Sequence, residues 1–226
     1  MPAFVPPNLL NDDGTASMST MILMSHHAFR RDLSRFRAAL ASIANGDTSR
    51  AAAVAEEWKF WRGALHGHHE MEDANIFPAF RAQQPSVAPL LDSLSAEHRR
   101  IDPLLERGDR AFADLPTARA AIQVVEEIDE LLRAHLASEE MGVVPLMRGA
   151  KTFPPPPSDA DAAMYADGFA WATHGIAADV LDRVRDMLPD AITSRLDDAR
   201  IRFEQRCELT WGPTPAWASR TSVPDR

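Results

Sequence analysis

The sequence predicts an all-α protein, an antiparallel up-down-up-down four-helix bundle with two additional C-terminal helices. Three observations predict it. Long Ala/Leu/Arg/Glu-rich runs fill a chain that has only ten Gly and one Tyr, which favours helices over a sheet. Apolar residues recur in those runs at alternating spacings of three and four, the period of a helix face packed on other helices. The runs are joined by short connections of turn residues, and short connections make successive long helices antiparallel neighbours.

Residues 1–17, rich in Pro, Asn and Asp, read as an irregular N-terminal arm. Four long helices follow at about 18–44, 50–83, 86–113 and 117–148, joined by NGDTS, QQPS and DLPT. Pro103 falls inside the third helix and should kink it or end it locally. The bundle spans 18–150. The stretch KTFPPPPSDAD makes 151–158 a semi-rigid linker, because four consecutive prolines adopt an extended left-handed helix. Residues 159–226 form a C-terminal helical extension and tail. Ser158 and Asp161 read as a capping pair that opens a helix over 159–187. LPD at 188–190 breaks that helix, and a last one runs to about Leu209. The tail WGPTPAWASRTSVPDR is irregular, and its Trp residues indicate packing on something.

Composition narrows the function. A hydrophobic share of 45% supports a proper core, and a net charge of −9 argues against nucleic acid and anionic membrane as partners. The single Cys207 excludes an intramolecular disulfide framework and fits a reducing compartment. The opening MPAFVPPNLLNDDG lacks the basic and apolar regions of a secretory signal, and the longest apolar run is too short to span a bilayer. The expectation is a soluble, cytoplasmic protein.

The inward stripes carry the chemistry. They read Ile22, His26, Phe29, Leu33, Phe36, Leu40, Ile43; then Val54, Trp58, Trp61, Leu65, His68, Glu72. The third and fourth are Leu91, Leu94, His98, Ile101, Leu105 and Val125, Ile128, Leu132, His135, Glu139. Each helix thus places one His where an apolar residue belongs. Three of those His are followed four residues later by a carboxylate: Glu72, Asp102 and Glu139. At about 1.5 Å per residue from the shared turns, the four His lie within roughly one turn of a common level. A buried carboxylate needs a partner or it protonates, and the stripes offer no Lys or Arg. A metal ion answers both needs. His and carboxylate at i, i+4 share a face, and seven ligands suit two first-row ions better than one tetrahedral zinc. Imidazole mixed with carboxylate is iron or manganese chemistry. HHEMEDANIFP (68–78) and HLASEEMGVVP (135–145) repeat the form H-x3-E-[DE]-x4-P, which implies two pseudo-symmetric half-sites.

The flanking groups read differently. His69 sits one position off the seam as a partly exposed residue, with a role as an extra ligand left open. Asp73 and Glu140 read as hydrogen-bond partners of the ligands or as solvated acids. His27 and His66 read as surface residues, His174 has no partner motif, and Trp58 and Trp61 read as core.

On SHHAFRRDL, HHEMED, EHRRID and HLASEE, in that order over about residues 20–148, the chain resembles the hemerythrin-like family, also called the HHE cation-binding domain. The resemblance implies an antiparallel four-helix bundle with a non-haem di-iron centre in its core. It puts His26, His68, Glu72, His98, His135 and Glu139 at ligand positions, with Glu72 and Glu139 bridging two Fe ions that also share an oxo or hydroxo bridge; Mn and Zn stand behind iron. One position departs. Oxygen-carrying members have H-x3-H on the third helix, whereas here His98 is followed by Asp102. Asp102 either replaces the second His or leaves its iron with an open or water-filled position. An added carboxylate would stabilise ferric iron and tilt the site from reversible O2 carriage towards redox turnover or sensing. The implied function is binding and reduction of a small diatomic or peroxide such as O2, NO or H2O2, with no catalytic residue beyond the metal centre. The alternative is a non-catalytic iron or oxygen sensor, or an iron-binding module, that signals through its C-terminal helices. Those helices also offer a surface for a homodimer.

Overall fold

The structure, a computed structural model, describes residues 8–115 and 118–212. The helices are α1 (Met18–Ala44), α2 (Ala51–Met71), α3 (Phe77–Gln83), α4 (Ala88–Ala113), α5 (Arg119–Gly142), α6 (Asp159–Thr173), α7 (Ala178–Arg185), α8 (Asp190–Thr193) and α9 (Leu196–Trp211). No strand occurs among the described residues, and none of their helices is long and apolar enough to cross a membrane. The start of the expected arm, Pro116 and Thr117 of the DLPT turn, and the tail from 213 onward lie outside the described residues.

The chain divides into two compact units, one containing residues 29–146 and the other containing 8–28 and 147–212. In the first unit every apolar stripe residue named above from Phe29 onward is buried. Aromatic rings dominate one part of that core. The Trp58 indole stacks on Phe112 (centroids 4.4 Å apart, planes at 10°) and on Trp61 at 5.5 Å. Phe36 sets its edge against Trp58, Trp61 and Phe112. Trp58 Nε1 donates to Asp109 Oδ1 at 2.9 Å, which satisfies the one polar atom of the ring. Gly108 makes room for it, since a Cβ there would lie 2.0 Å from Trp58 Cζ2.

Contacts fix which stretches lie side by side. Phe29 meets His68, and Phe36 meets Trp61 and Trp58. Arg30 pairs with Glu140 at 2.6 Å and Arg37 with Asp129 at 2.6 Å. α4 runs along α5, with His98 beside His135 and Arg107 paired to Glu127.

Two departures from the expected helices have local causes. The second helix does not run unbroken over 50–83. A π-helix, Glu72–Ile76, separates α2 from α3, and the Phe77 N–H reaches back five residues to the Glu72 carbonyl. Pro78 has no N–H and its ring crowds the carbonyl four residues earlier, so the ladder widens just before it. In the repeat, α5 stops at Gly142, and Pro145 sits in a 3-10 turn, Val144–Met147. Pro103, by contrast, does not end its helix. α4 continues through it, and both Pro103 and Arg99 are exposed, so the Arg99 carbonyl that loses its partner faces water.

In the second unit the segment from Asn8 is fastened rather than loose. Arg148 donates to the carbonyls of Asn8 and Leu10, and the Met18 N–H donates to the Ala150 carbonyl at 2.7 Å. Ser158 caps α6, its Oγ accepting from the Asp161 N–H at 3.2 Å. The single helix expected over 159–187 is two. It breaks after Thr173, where His174 is extended and Gly175 takes φ +89°, a conformation glycine adopts without strain. With α8 separate from α9, the described C-terminal part has four helices instead of the expected two. α6 packs on α8 and α9, burying Phe169, Ile192, Phe203 and the single Cys207.

Candidate metal centre

The last turn of α2 carries His68 and His69, and Glu72 follows as the first residue of the π-helix. α4 supplies His98, α5 supplies His135 and Glu139, and α1 carries His26. All seven side chains are buried, none more than 7% exposed. Their donor atoms form two groups, each within 4.8 Å: His69, Glu72, His98 and His135 in one, and His26, His68, Glu72 and Glu139 in the other. Glu72 belongs to both. Its Oε1 lies 3.1 Å from His68 Nε2 and its Oε2 lies 3.5 Å from His98 Nε2.

An outer ring of acids sets the imidazoles. Asp73 Oδ2 lies 2.9 Å from His98 Nδ1, and Ser95 donates to the other oxygen of Asp73. Glu97 Oε2 lies 3.0 Å from His135 Nδ1. A carboxylate at Nδ1 holds the proton there and turns the Nε2 lone pair inward. The two Nε2 atoms then face each other 3.2 Å apart. Two lone pairs at that distance repel unless a cation lies between them. His69 adds a second sign. It is 3% exposed, yet neither of its ring nitrogens has a hydrogen-bond partner among the described residues. A buried imidazole without partners is costly, and a metal ion would use its lone pair.

Titration follows the same logic. Burial, then the adjacent Glu139, pushes the Glu72 carboxyl well above the usual range. Burial, then the neighbouring His98, His68 and His135, pushes His69 well below 6.5. His135 is lowered mainly by burial, with Glu139 pulling the other way. The buried cluster resists charge on its own side chains and would welcome a compensating cation.

A family model described as the hemerythrin HHE cation binding domain matches residues 17–147. The chain belongs to that family. No curated protein and no solved structure matches it. The hemerythrin domain binds metal cations, and the two buried His/Glu groups are where this one could hold them.

Six of the seven residues expected from the sequence fall in these groups: His26, His68, Glu72, His98, His135 and Glu139. Asp102 does not. Its side chain is 49% exposed, and its Oδ1 lies 3.7 Å from His66 Nδ1. At about 100° per residue Asp102 stands about 40° to one side of His98, while the buried Ile101 stands about 60° to the other. The centre of the buried stripe lies on the Ile101 side, so Asp102 turns outward.

His69 corrects the expectation of partial exposure. α2 lies between two neighbours and buries an arc wide enough for both histidines, with His68 against Phe29 at 5.3 Å and His69 stacked on His98 at 4.0 Å. The readable signal was the doubled His of HHEMED beside a third helix with a single His. Glu97, one residue before His98 and off every stripe, was missed altogether. Glu140 is not a solvated acid; it is 2% exposed and held by Arg30, the inward arginine that the stripes did not reveal. His27 is half-buried, with its Nε2 3.3 Å from the His174 carbonyl, and the His174 ring meets Phe203 edge-on.

Proposed function

We propose that the hemerythrin domain is an antiparallel four-helix bundle that holds two iron ions and uses them to bind, and reduce, a small molecule such as O2, NO or H2O2. The observation that carries the reading is Glu72, one carboxylate whose two oxygens serve two separate clusters of imidazoles. The bundle is supported by contacts in which numbering rises along one helix and falls along its neighbour: 29 and 36 against 68 and 58, then 98 and 107 against 135 and 127.

Five imidazoles and two carboxylates form the donor set, in keeping with iron or manganese rather than thiolate-bound zinc. Glu72 would serve both ions, and Glu139 the one beside His26 and His68. His69, His98 and His135 would face one ion, and His26 and His68 the other. When bound, the iron pair supplies the redox electrons and the open coordination position. The chain's own residues do the positioning. Asp73 and Glu97 hold the protons of His98 and His135 on Nδ1, and Phe29 and Phe77 pack against His68 and His98. Asp102 adds no carboxylate to the ligands, so reversible O2 binding stays among the outcomes.

Protein expressed in iron-replete medium is expected to carry about two irons per chain by elemental analysis, and Glu72→Ala to lose both. Metal-free protein from such medium would overturn the reading. Stopped-flow mixing of the reduced protein with H2O2 or NO then separates functions. With an electron donor in excess to re-reduce the metal centre, many turnovers mean reduction, one oxidation without turnover means the sensor alternative, and a reversible spectrum with O2 means carriage.

A further inference from the structure

Asp102, Glu70 and His66 are left outside the metal groups, yet they share a place. On the face between α2 and α4 a cavity of about 360 Å3 is lined by all three together with Asp73, His69 and His98. His66, Glu70 and Asp102 form the rim, with side chains 39%, 69% and 49% exposed. The imidazole of His66 sits between the two acids, 3.4 Å from Glu70 and 3.7 Å from Asp102. His69 and His98 are buried and line the inner wall. Three carboxylates and, among the described residues, no Lys or Arg line this cavity.

We infer that this cavity is the intake through which a divalent cation reaches the buried site, with Glu70 and Asp102 collecting the hydrated ion and His69 receiving it. The inference rests on the metal-binding reading above. Acids alone on a surface would mean little. What gives these a direction is His69, a buried ring on the same cavity whose nitrogens have no hydrogen-bond partner among the described residues. A cleft of one sign concentrates the opposite charge and raises association rates by about 10- to 1,000-fold. Exposed carboxylates that are free to move hold Fe2+ weakly, which suits transfer rather than storage. The same field disfavours anions, so neutral molecules and cations pass this face more readily than azide or nitrite.

The test is the rate of metal uptake, measured by anaerobic stopped-flow mixing of metal-free full-length protein with ferrous iron alone, followed by tryptophan fluorescence. The double variant Glu70→Gln/Asp102→Asn should load about tenfold more slowly at low ionic strength, with the deficit shrinking as salt is added. Its final iron content should match the parent. Both side chains are exposed, so thermal melting of the metal-free variant should be unchanged and verifies its fold. The variant Glu56→Gln/Glu126→Gln, with the same change in net charge elsewhere, should load at the parent rate. An unchanged rate in the first variant, equal slowing in the second, or a lower final iron content in the first would each overturn the intake. Failure of the parent itself to take up iron would instead sink the metal-binding reading.

Discussion

Replacing Gly108 by Ala should destabilise the protein, against the usual preference of helices. An alanine inside a helix is worth about 1 kcal/mol more than a glycine. At this position, however, the new Cβ would lie 2.0, 2.5 and 2.8 Å from three atoms of the Trp58 ring. That ring cannot slide away freely. Phe112 stacks on it at 4.4 Å, Trp61 stacks at 5.5 Å, and its Nε1 is tied to Asp109 at 2.9 Å. Overpacking costs about 1–3 kcal/mol, and a strained indole hydrogen bond about 1 more. After the helix gain is subtracted, Gly108→Ala should lose about 1–3 kcal/mol. Urea unfolding of the metal-free protein, followed by tryptophan fluorescence and far-ultraviolet circular dichroism, measures it. Gly142→Ala is the control. Its Cβ would meet only the tip of the half-buried Leu90, Cδ2 at 2.2 Å, which can turn aside, so its loss should be smaller. A Gly108→Ala protein as stable as the parent, or a larger loss at Gly142, would refute the packing account.

Three further outcomes concern the site. His69→Leu keeps the volume and removes the ligand, so it should lower bound metal by elemental analysis, while His66→Leu should leave final occupancy unchanged. Equal metal in both would remove His69 from the ligand set. Glu97→Gln and Asp73→Asn should each weaken metal affinity about 10- to 100-fold in a chelator competition, because the imidazoles lose the partner that orients them. Affinities equal to the parent would show that the outer acids are incidental. The third outcome is pH dependence. Glu72, raised above 4.5 in the fold, keeps a proton that the unfolded chain has lost, so metal-free stability falls as pH rises from 4.5 towards its folded value. His69, lowered below 6.5, acts in the opposite sense, and stability falls as pH drops below 6.5. Metal competes with protons more at Glu72, whose carboxyl is raised, than at His69, whose ring is lowered. Calorimetric titration in buffers of different ionisation heat should therefore record proton release that Glu72→Gln reduces. Identical proton release in parent and variant would contradict it.

Much of this was legible in the amino-acid order. The pairs His68/Glu72 and His135/Glu139 stand four residues apart on a seam, and the seam itself is a period that a helix must express. His26 and His98 were readable as polar residues at apolar positions. What escaped belongs to three-dimensional context. A single-face pattern cannot register that α2 is buried on two sides, so His69 was expected to be partly exposed. An i, i+4 rule treats Asp102 like Glu72, although Ile101 and Leu105 pull the buried face of α4 to the other side. Glu97 bonds across to α5, and Arg30 to Glu140, and no local spacing announces either. The break at Gly175 carried a signal, since glycine punctuates helices, but the apolar pattern on both sides of it hid the turn.

The π-helix at Glu72–Ile76 does something that neither its hydrogen bonds nor its proline describe. Glu72 and Phe77 are five residues apart and both are buried. In an α-helix five steps of about 100° overshoot a full turn by about 140°, so one of the two would face solvent. The wider turn brings the chain back to the same side after five residues. Glu72 thus stays with the imidazoles, while Phe77 joins Leu91, Leu94 and Val143 in a separate apolar cluster and lies parallel to His98 at 5.8 Å. The segment works as a one-residue phase correction between two stretches of helix with different obligations. Deleting the exposed Ala74 or Asn75 from it would cost no ligand and no core residue, yet would set the two halves out of phase.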